Sequence, residues 1–357
     1  MVRVLLAILL LGKALGAEPL RMNQIQVIGT HNSYHLAPAG PVLDVIGKIR
    51  EEWRSSLDYS HRPLTEQLEE LGIRQIELDV FADPEGGLYS KPRLAPLSGG
   101  NGDPQGKLLE PGMKVLHIQD LDFRTTVHTL KSALQQVRSW SKKNPQHVPI
   151  MILLELKDDR PSLLATKPVE FDREQLMALE AEVYEVFDKT EIVLPDDVRG
   201  GAKSLREAIV TKGWPALDQV RGKVLFALDN GGRVRDRYLG DNPSLEGRLM
   251  FASVGEEDPG AAFFKLNDPA GSFERIRRLV KAGFIVRTRA DAGTAEARSN
   301  ETDRREKALA SGAQFVSSDY PEADGRLSEY RVRFDGGAVV RANPVNGGGR
   351  SVSEPVK

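Results

Sequence analysis

The feature that most constrains the fold is the alternation of short, apolar, β-branched runs with longer segments of helical apolar spacing. Several of the short runs are almost continuously apolar, as is typical of parallel strands buried on both faces. Eight runs are predicted as strands: 25–29, 75–80, 113–118, 148–156, 223–229, 248–254, 283–288 and 313–318.

Helical patterns occupy most of the connections between these runs. They cover residues 64–72, 126–144, 171–187, 272–283 and 302–313. Between the fifth and sixth predicted strands the sequence shows no clear helix. Eight strands joined mostly by helices predict the α/β class and a distorted TIM (β/α)8-type barrel. We therefore expect one catalytic domain over residues 24–330.

Two segments stand apart from this alternation. Residues 83–112 form a long loop rich in Gly and Pro, and loops of this length are usually functional or mobile. Residues 331–357 are predicted as a C-terminal hairpin, in the stretch RVRFDGGAVVRA, followed by a flexible tail rich in Gly and Ser.

The N-terminus has the pattern of a signal peptide over residues 1–17. Arg3 precedes a short apolar run, and small residues follow up to Ala17. The run is shorter than the ~20 residues that a membrane-spanning helix needs. We therefore expect a secreted or periplasmic protein without a transmembrane segment, and a monomer.

Charge and cysteine content exclude several kinds of function. The formal net charge is −2, without the clustered positive surface that nucleic-acid binding requires. The chain has no cysteine, which excludes disulfides, thiolate metal sites and a cysteine nucleophile.

Polar residues interrupt the apolar strands near their C-terminal ends, where barrel enzymes carry their chemistry. His31 and Asn32 follow the first strand, and His117 lies at the end of the third. The second strand carries Glu77 and Asp79, two residues apart and so on the same side. The fourth ends in Glu155 and Lys157. Burying several charged groups without compensation is too costly, so these residues predict a shared partner.

A divalent cation would be such a partner. The carboxylates and the amide of Asn32 are hard oxygen ligands, which suit Ca²⁺ or Mg²⁺ rather than zinc. Lys157 could offset the remaining negative charge, and His31 and His117 would be free for acid–base chemistry. Each motif alone is more often structural; four at successive strand ends favour a site.

The motif GTHNSYH at 29–35 also has the histidine spacing of a helical zinc site. That site needs a helix and a Glu general base, whereas this motif follows a strand and has Asn32 at the Glu position. His35 is therefore expected to be a loop or supporting residue. Three further histidines are expected to be solvated: His61, His128 and His147.

Four of these motifs, GTHNSYH, IELDVF, VLHIQD and PIMILLELK, together resemble those of calcium-dependent, phosphatidylinositol-specific phospholipases C, of the secreted bacterial C1-like branch. The resemblance runs from about residue 24 to residue 345 and implies a distorted TIM barrel. It implies that His31 assists at the phosphate and that His117 is the general acid. It also implies four Ca²⁺ ligands: Asn32, Glu77, Asp79 and Glu155.

The reaction implied is an attack of the inositol 2-hydroxyl on the adjacent phosphorus, with Glu77 taking the proton and His117 protonating the diacylglycerol oxygen. The product would be a cyclic inositol phosphate, from a phospholipid substrate met transiently at a membrane surface. Four residues are expected to contact phosphate or inositol: Lys157, Arg287, Arg289 and Asp319. A structural ion pair at the barrel rim would explain the last three equally well. The 83–112 insertion and the lack of a lipid-targeting domain favour plain phosphatidylinositol over phosphorylated inositides.

Two alternatives remain at this stage. Glycerophosphodiester phosphodiesterases and phospholipase D-like barrel enzymes also pair two histidines with an E-x-D metal site, but Arg and Asp typically follow those histidines, where this chain has Asn32 and Ile118. A non-catalytic inositol-lipid or carbohydrate-binding protein on an inactive barrel would be expected to have lost a histidine or a ligand, and none is lost here.

Overall fold

A barrel of parallel strands surrounded by helices confirms the predicted α/β fold class. The computed structural model describes residues 18–160 and 162–354, so the predicted signal peptide lies outside the described residues. Within them the strands are β1 (Ile25–Thr30), β2 (Gln75–Phe81), β3 (Lys114–Val115), β4 (Ile150–Leu156), β5 (Val224–Leu228), β6 (Met250–Ala252), β7 (Phe263–Lys265), β8 (Ile285–Arg289), β9 (Phe315–Ser318) and β10 (Val340–Ala342).

The strand order is β6-β5-β4-β2-β1-β9-β8-β7, with neighbours parallel. The barrel closes between β6 and β7 through an isolated parallel bridge that joins Ser253 and Phe263. The first two strands meet at one residue pair, Gly29 and Gln75. These two thin junctions make the barrel distorted, as the sequence predicted.

The α-helices lie mainly in the connections between strands. They are α1 (Gly40–Ile49), α2 (Glu51–Ser56), α3 (Leu64–Glu69), α4 (Leu130–Lys143), α5 (Arg173–Val186), α6 (Pro195–Arg199), α7 (Leu205–Thr211), α8 (Leu217–Val220), α9 (Gly232–Leu239), α10 (Phe273–Lys281), α11 (Ala295–Ser299) and α12 (Asp303–Ser311). No helix in the described ranges is both long and apolar enough to cross a bilayer.

Side-chain caps fix the starts of the two longest helices. Thr129 accepts a hydrogen bond from the backbone N–H of Ser132 at the start of α4, and Asp172 accepts one from Gln175 at the start of α5. Each helix then buries an apolar stripe, for example Leu134 and Val137 of α4.

One predicted strand was wrong, and strand β7 and helix α9 were missed. The third predicted strand is not part of the barrel: β3 pairs antiparallel with the end of β2. The barrel still has eight strands, because β7 takes the place of the strand that was predicted wrongly. With three residues, β7 is too short to give a recognisable apolar pattern. Helix α9 joins β5 and β6, where no helix was predicted. Its sequence GRVRDRYL buries only Val234 and Tyr238, too few apolar residues to show a helical period.

The C-terminal segment also differs from the prediction. No hairpin forms over 331–342; β10 pairs antiparallel with β1 instead. The tail that we expected to be flexible contacts the opposite end of the barrel from the strand C-termini. There Glu354 accepts hydrogen bonds from the Nε atom of Arg74 and the backbone N–H of Val148.

Gly29 permits the close approach of β1 and β2. A Cβ atom at this position would lie 2.0 Å from the Oε1 atom of Gln75, whose side chain is buried. Neither strand can move away without losing its pairing on the other side. The glycine is therefore required by packing.

We predict that Gly29→Ala lowers the free energy of unfolding by about 1–3 kcal/mol, as overpacking of a closed core does. Urea denaturation in the presence of EGTA measures this without a contribution from bound metal. Gly40→Ala is the matched control, because nothing lies within 4 Å of a Cβ added there. Equal unfolding midpoints for the two variants would contradict the packing argument.

Candidate active site

Three carboxylates converge at the C-terminal ends of β2 and β4. Oxygens of Glu77, Asp79 and Glu155 lie within 4.8 Å of one another. The strand register explains this, because Asp79 is paired with Glu155 across the sheet and Glu77 lies on the same side of β2 as Asp79. The side chains of Glu77 and Asp79 are only 2% and 1% exposed.

Asn32 adds an amide oxygen from the end of β1. Its backbone has a positive φ of 44°, a conformation that Asn tolerates better than most residues. Its Nδ2 atom donates to the Tyr59 hydroxyl, 3.3 Å away. Its buried Oδ1 atom accepts no hydrogen bond from the residues that the structure describes.

Both oxygens of Asp79 are likewise buried without a hydrogen bond of good geometry within the described ranges, although Lys157 Nζ lies 3.2 Å from Oδ2. Buried acceptors without partners are rare in folded proteins and costly. Together with the Asn32 amide they form a set of oxygen donors that fits Ca²⁺. The residues that would hold the ion are therefore Asn32, Glu77, Asp79 and Glu155.

Two basic side chains partly compensate these acids. Arg287 Nη2 lies 2.5 Å from Glu77 Oε2, and Lys157 Nζ lies 3.1 Å from Glu155 Oε1. Burial raises the pKa of the Glu77 and Asp79 carboxyls, while the charges of Arg287 and Lys157 oppose that effect. The two bases thus leave part of the cost of burial uncompensated, which a divalent cation would remove.

His31 is held beside this cluster by hydrogen bonds to Asp319 and Arg289. Its Nδ1 atom lies 2.8 Å from Asp319 Oδ1, and its Nε2 atom lies 3.1 Å from Arg289 Nη1. A guanidinium can only donate, so Nε2 accepts and Nδ1 carries the proton. Burial and the nearby Arg289 charge lower the pKa of His31 to about 3, against the opposing effect of Asp319. His61 Nε2 donates to the His31 backbone carbonyl.

His117 reaches the site from a loop, not from the barrel strand that the sequence suggested. Backbone hydrogen bonds between Ile118 and Asp122 close a tight turn directly after it. The turn brings Asp122 back, so that its Oδ2 atom lies 2.7 Å from His117 Nδ1. The carboxylate therefore fixes the orientation of the imidazole.

All ten residues proposed from the sequence thus lie in one region, but the contacts refine the roles of some of them. Arg287 is fully buried against Glu77 and Asn267, so it supports the acidic cluster. Arg289 and Asp319 pair with each other as well as with His31, Nη2 to Oδ2 at 3.0 Å.

Sequence reasoning missed several neighbours of the site. Asp122 has no signal of its own, because its position depends on the turn after His117. Asp229, at the end of β5 and 2.5 Å from Lys265 Nζ, is a polar residue after an apolar run and could have been found in that way. His61 and His147 were wrongly expected to be solvated, since both are buried, whereas His128 is partly exposed.

An α/β barrel with an acidic oxygen cluster and two carboxylate-held histidines at its C-terminal face is a divalent-metal-dependent barrel enzyme. The family model "phosphoinositide phospholipase C, Ca²⁺-dependent" matches residues 20–344. The chain belongs to that family, and so is a calcium-dependent phospholipase C-type enzyme. The two alternatives considered from the sequence, a glycerophosphodiester phosphodiesterase or phospholipase D-like enzyme and a non-catalytic binding protein, belong to other classes of protein.

Solved structures show the same fold. Two structures of the calcium-dependent phosphoinositol-specific phospholipase C from a Gram-negative Pseudomonas species, one of them a myo-inositol complex, are 18% and 17% identical and have TM-scores of 0.53; the matches cover 90% and 91% of this chain and 95% and 96% of those chains. The Ca²⁺-dependent enzyme from Streptomyces antibioticus is 17% identical over 85% of this chain and 95% of its own, with a TM-score of 0.54. No curated protein sequence gives a significant match.

We predict that Asp79→Asn weakens Ca²⁺ binding roughly ten- to hundredfold, because Ca²⁺ affinity depends strongly on the number of charged ligands. Isothermal titration calorimetry measures it directly. Asp236→Asn, on the exposed face of α9, is the control and should bind as the unmodified protein does. Unchanged affinity in Asp79→Asn would contradict the assigned ligand set.

Proposed function

We propose that the protein cleaves phosphatidylinositol, or a closely related inositol phosphodiester, to diacylglycerol and a cyclic inositol phosphate. The observation that carries the proposal is the location of two carboxylate-held histidines, His31 and His117, beside one acidic oxygen cluster. The myo-inositol complex of the Pseudomonas relative supports an inositol headgroup. Water could open the cyclic product in a second step that uses the same groups in reverse.

Glu77 is assigned as the proton acceptor for the inositol 2-hydroxyl. Its Oε2 atom is engaged by Arg287, while Oε1 lies 3.6 Å from His31 Nε2, on the side where we place the phosphate. Bound Ca²⁺ would lower the pKa of the hydroxyl and offset charge on the phosphoryl oxygen. Because the hydroxyl is already tethered next to phosphorus, no covalent enzyme intermediate is needed.

The phosphoryl oxygens are assigned to Arg289 and to His31, whose Nε2 atom must first take up a proton, a change that an adjacent anionic phosphate favours. Arg289 supplies charged N–H donors, and Asp319 holds both side chains in place, within 3.0 Å of each. Fixed donors of this kind stabilise charge that develops at phosphorus in the transition state.

His117 is assigned as the general acid. Asp122 engages its Nδ1 atom, which leaves Nε2 as the ring nitrogen available to the leaving oxygen. The new P–O bond to the 2-hydroxyl oxygen forms while the bond to the diacylglycerol oxygen breaks. The hydroxyl proton passes to Glu77, and the His117 proton passes to the departing oxygen, so the protons balance.

We assign the rim of the same barrel face as the surface that contacts the membrane. Large apolar side chains are exposed in the connections after β1, β2 and β4: Ile49, at the end of α1, and Leu109 at 63%, Leu164 at 77% and Leu163 at 85%. Asp120 joins two of these loops, because its carboxylate accepts hydrogen bonds from the backbone N–H groups of Arg93 and Thr166. An apolar rim around a site for a lipid phosphodiester would let the enzyme work at a bilayer surface.

Phosphorus NMR on phosphatidylinositol vesicles tests the reaction. With Ca²⁺ we expect a new resonance of a five-membered cyclic phosphodiester, and with EGTA we expect none. Release of glycerol 3-phosphate, or undiminished turnover in EGTA, would contradict the proposal.

In the same assay His117→Ala should lose about 10²- to 10⁴-fold in rate, the usual contribution of a general acid, while Ca²⁺ binding persists. His128→Ala is the matched control, because His128 lies outside the site. Full activity of His117→Ala would remove His117 from its assigned role.

We further predict that Leu163→Asp/Leu164→Asp slows cleavage of vesicle-bound substrate at least about tenfold, since charged groups resist burial in a bilayer. Cleavage of a short-chain monomeric substrate should stay within about twofold. Val210→Asp is the control, because Val210 is 46% exposed on α7, toward the opposite end of the barrel. Equal losses on both substrates would argue against a membrane-contacting rim.

A further inference from the structure

The turn after His117 is joined to both rim loops, residues 83–112 and the loop that follows β4. Asp120 lies in the middle of this turn and is 4% exposed. Its Oδ1 atom accepts a hydrogen bond from the backbone N–H of Arg93 at 3.1 Å, and its Oδ2 atom accepts one from that of Thr166 at 2.6 Å. One buried carboxylate thus connects three segments that are distant in sequence.

Neighbouring groups reinforce this junction. The Asp120 carbonyl oxygen accepts a hydrogen bond from the backbone N–H of Leu94, 3.2 Å away in the 83–112 loop. Gln119, which is 3% exposed, donates from Nε2 to the carbonyl oxygens of Asp159 and Thr166 at 3.1 and 3.2 Å. The turn is therefore held by backbone groups of both rim loops.

The backbone conformation of the turn depends on these contacts. Asp120 has a φ of 70°, in the left-handed region that residues other than glycine seldom adopt. A conformation of this kind persists where the surrounding structure holds it. The contacts that hold it here come from the rim loops, so loosening of the loops would let the turn relax.

The position of His117 depends on the same loops. Leu116, the residue before it, packs in an apolar cluster that includes Tyr89 of the 83–112 loop. Asp122, which orients the imidazole, is fixed separately by His35 from the segment after β1. The carboxylate therefore stays in place, whereas the backbone that carries the imidazole rests on the rim loops.

We propose that Asp120 is a positioning residue that couples contact between the rim and a lipid surface to the orientation of His117. The inference rests on the proposed function, in which His117 is the general acid and the rim contacts the membrane. Leu163 and Leu164 lie three and two residues before Thr166. Their insertion into a bilayer orders the loop at the point where Asp120 binds it, and so favours the turn conformation that holds the imidazole against its carboxylate.

Micelles of dihexanoylphosphatidylcholine test the coupling without turnover, because they offer a lipid surface without an inositol headgroup. In NMR of the calcium-loaded protein, the micelles should slow the exchange of the His117 Nδ1–H proton with water at least about threefold, since its hydrogen bond to Asp122 opens less often. In Asp120→Asn the micelles should leave this rate unchanged. Asn tolerates the left-handed backbone but replaces one acceptor oxygen with an NH₂ group.

The rate ratio between two substrates tests the consequence for catalysis. We compare kcat on saturating phosphatidylinositol vesicles, where differences in membrane affinity no longer contribute, with kcat on dispersed dihexanoylphosphatidylinositol. The ratio should be at least about five in the unmodified protein, the lower end of ordinary coupling between sites. In Asp120→Asn it should fall to about one, with the rate on the dispersed substrate kept within about twofold.

Asp103→Asn is the matched control for both measurements. The Asp103 carboxylate also accepts hydrogen bonds from two backbone N–H groups, those of Lys107 and Leu108 at 2.9 and 2.7 Å, but both lie inside the 83–112 loop. This variant should keep the ratio and the micelle effect. Equal losses in Asp103→Asn would show a general loosening of the rim and overturn the role of Asp120.

The proposal is also overturned if folded Asp120→Asn keeps the ratio, or if micelles leave His117 unchanged in the unmodified protein. If Asp120→Asn does not fold, Gln119→Ala removes the second connection to the loop after β4 and should lower the ratio at least about twofold; an unchanged ratio would contradict the coupling. Failure of the proposed function is distinguishable, because the unmodified protein would then not cleave phosphatidylinositol at all, while the effect of micelles on His117 would remain.

Discussion

Burial of Glu77 and Asp79 in the barrel mouth is the constraint on which the rest of the site depends. Two carboxylates almost without solvent exposure cannot be tolerated alone. Arg287 and Lys157 each reach one of them, and the oxygen atoms that these bases leave unpaired point to a calcium ion. The same residues that would destabilise an inert barrel therefore offer the oxygen donors that we propose for the family's cofactor.

A second pattern is the use of a separate carboxylate for each histidine. Asp319 holds His31 from the end of β9, whereas Asp122 holds His117 from a turn only five residues long. The His31–Asp319 pair lies near the positive charges of Arg289 and Arg287. The His117–Asp122 pair instead contacts the ring of His35. The two imidazoles consequently lie in different electrostatic environments, as two groups with different tasks in one reaction require.

Much of the fold was predictable, because β4 and β5 are nearly continuous apolar runs, which are typical of parallel strands buried on both faces. The candidate metal ligands were predictable in part: a period of two on β2 places Glu77 and Asp79 on one side. The direct pairing of β2 with β4, which brings Glu155 beside them, was not predicted, because a third barrel strand was expected between these two. Short or polar elements gave no such signal. Three-residue β7 and the arginine-rich helix α9 depend on tertiary packing, which a single sequence does not reveal.

The supporting residues were the hardest to predict. Asp122 and His35 are 87 positions apart, and nothing in their local sequence indicates that they meet. His35 even carried a misleading signal, since its spacing from His31 is that of a helical zinc motif. In the folded chain the two histidines contact different carboxylates, Asp319 and Asp122, because the segment after β1 is a turn rather than a helix.

The pairing of β1 with β9 and β10 has a consequence for how the molecule is made. The first strand finds its partners in residues 315–318 and 340–342, the last strands of the chain. A ribosome must therefore release almost the whole polypeptide before the sheet can close, and the contacts that complete the barrel are among those of longest range. Late closure therefore leaves apolar strand surface accessible to chaperones for much of the synthesis.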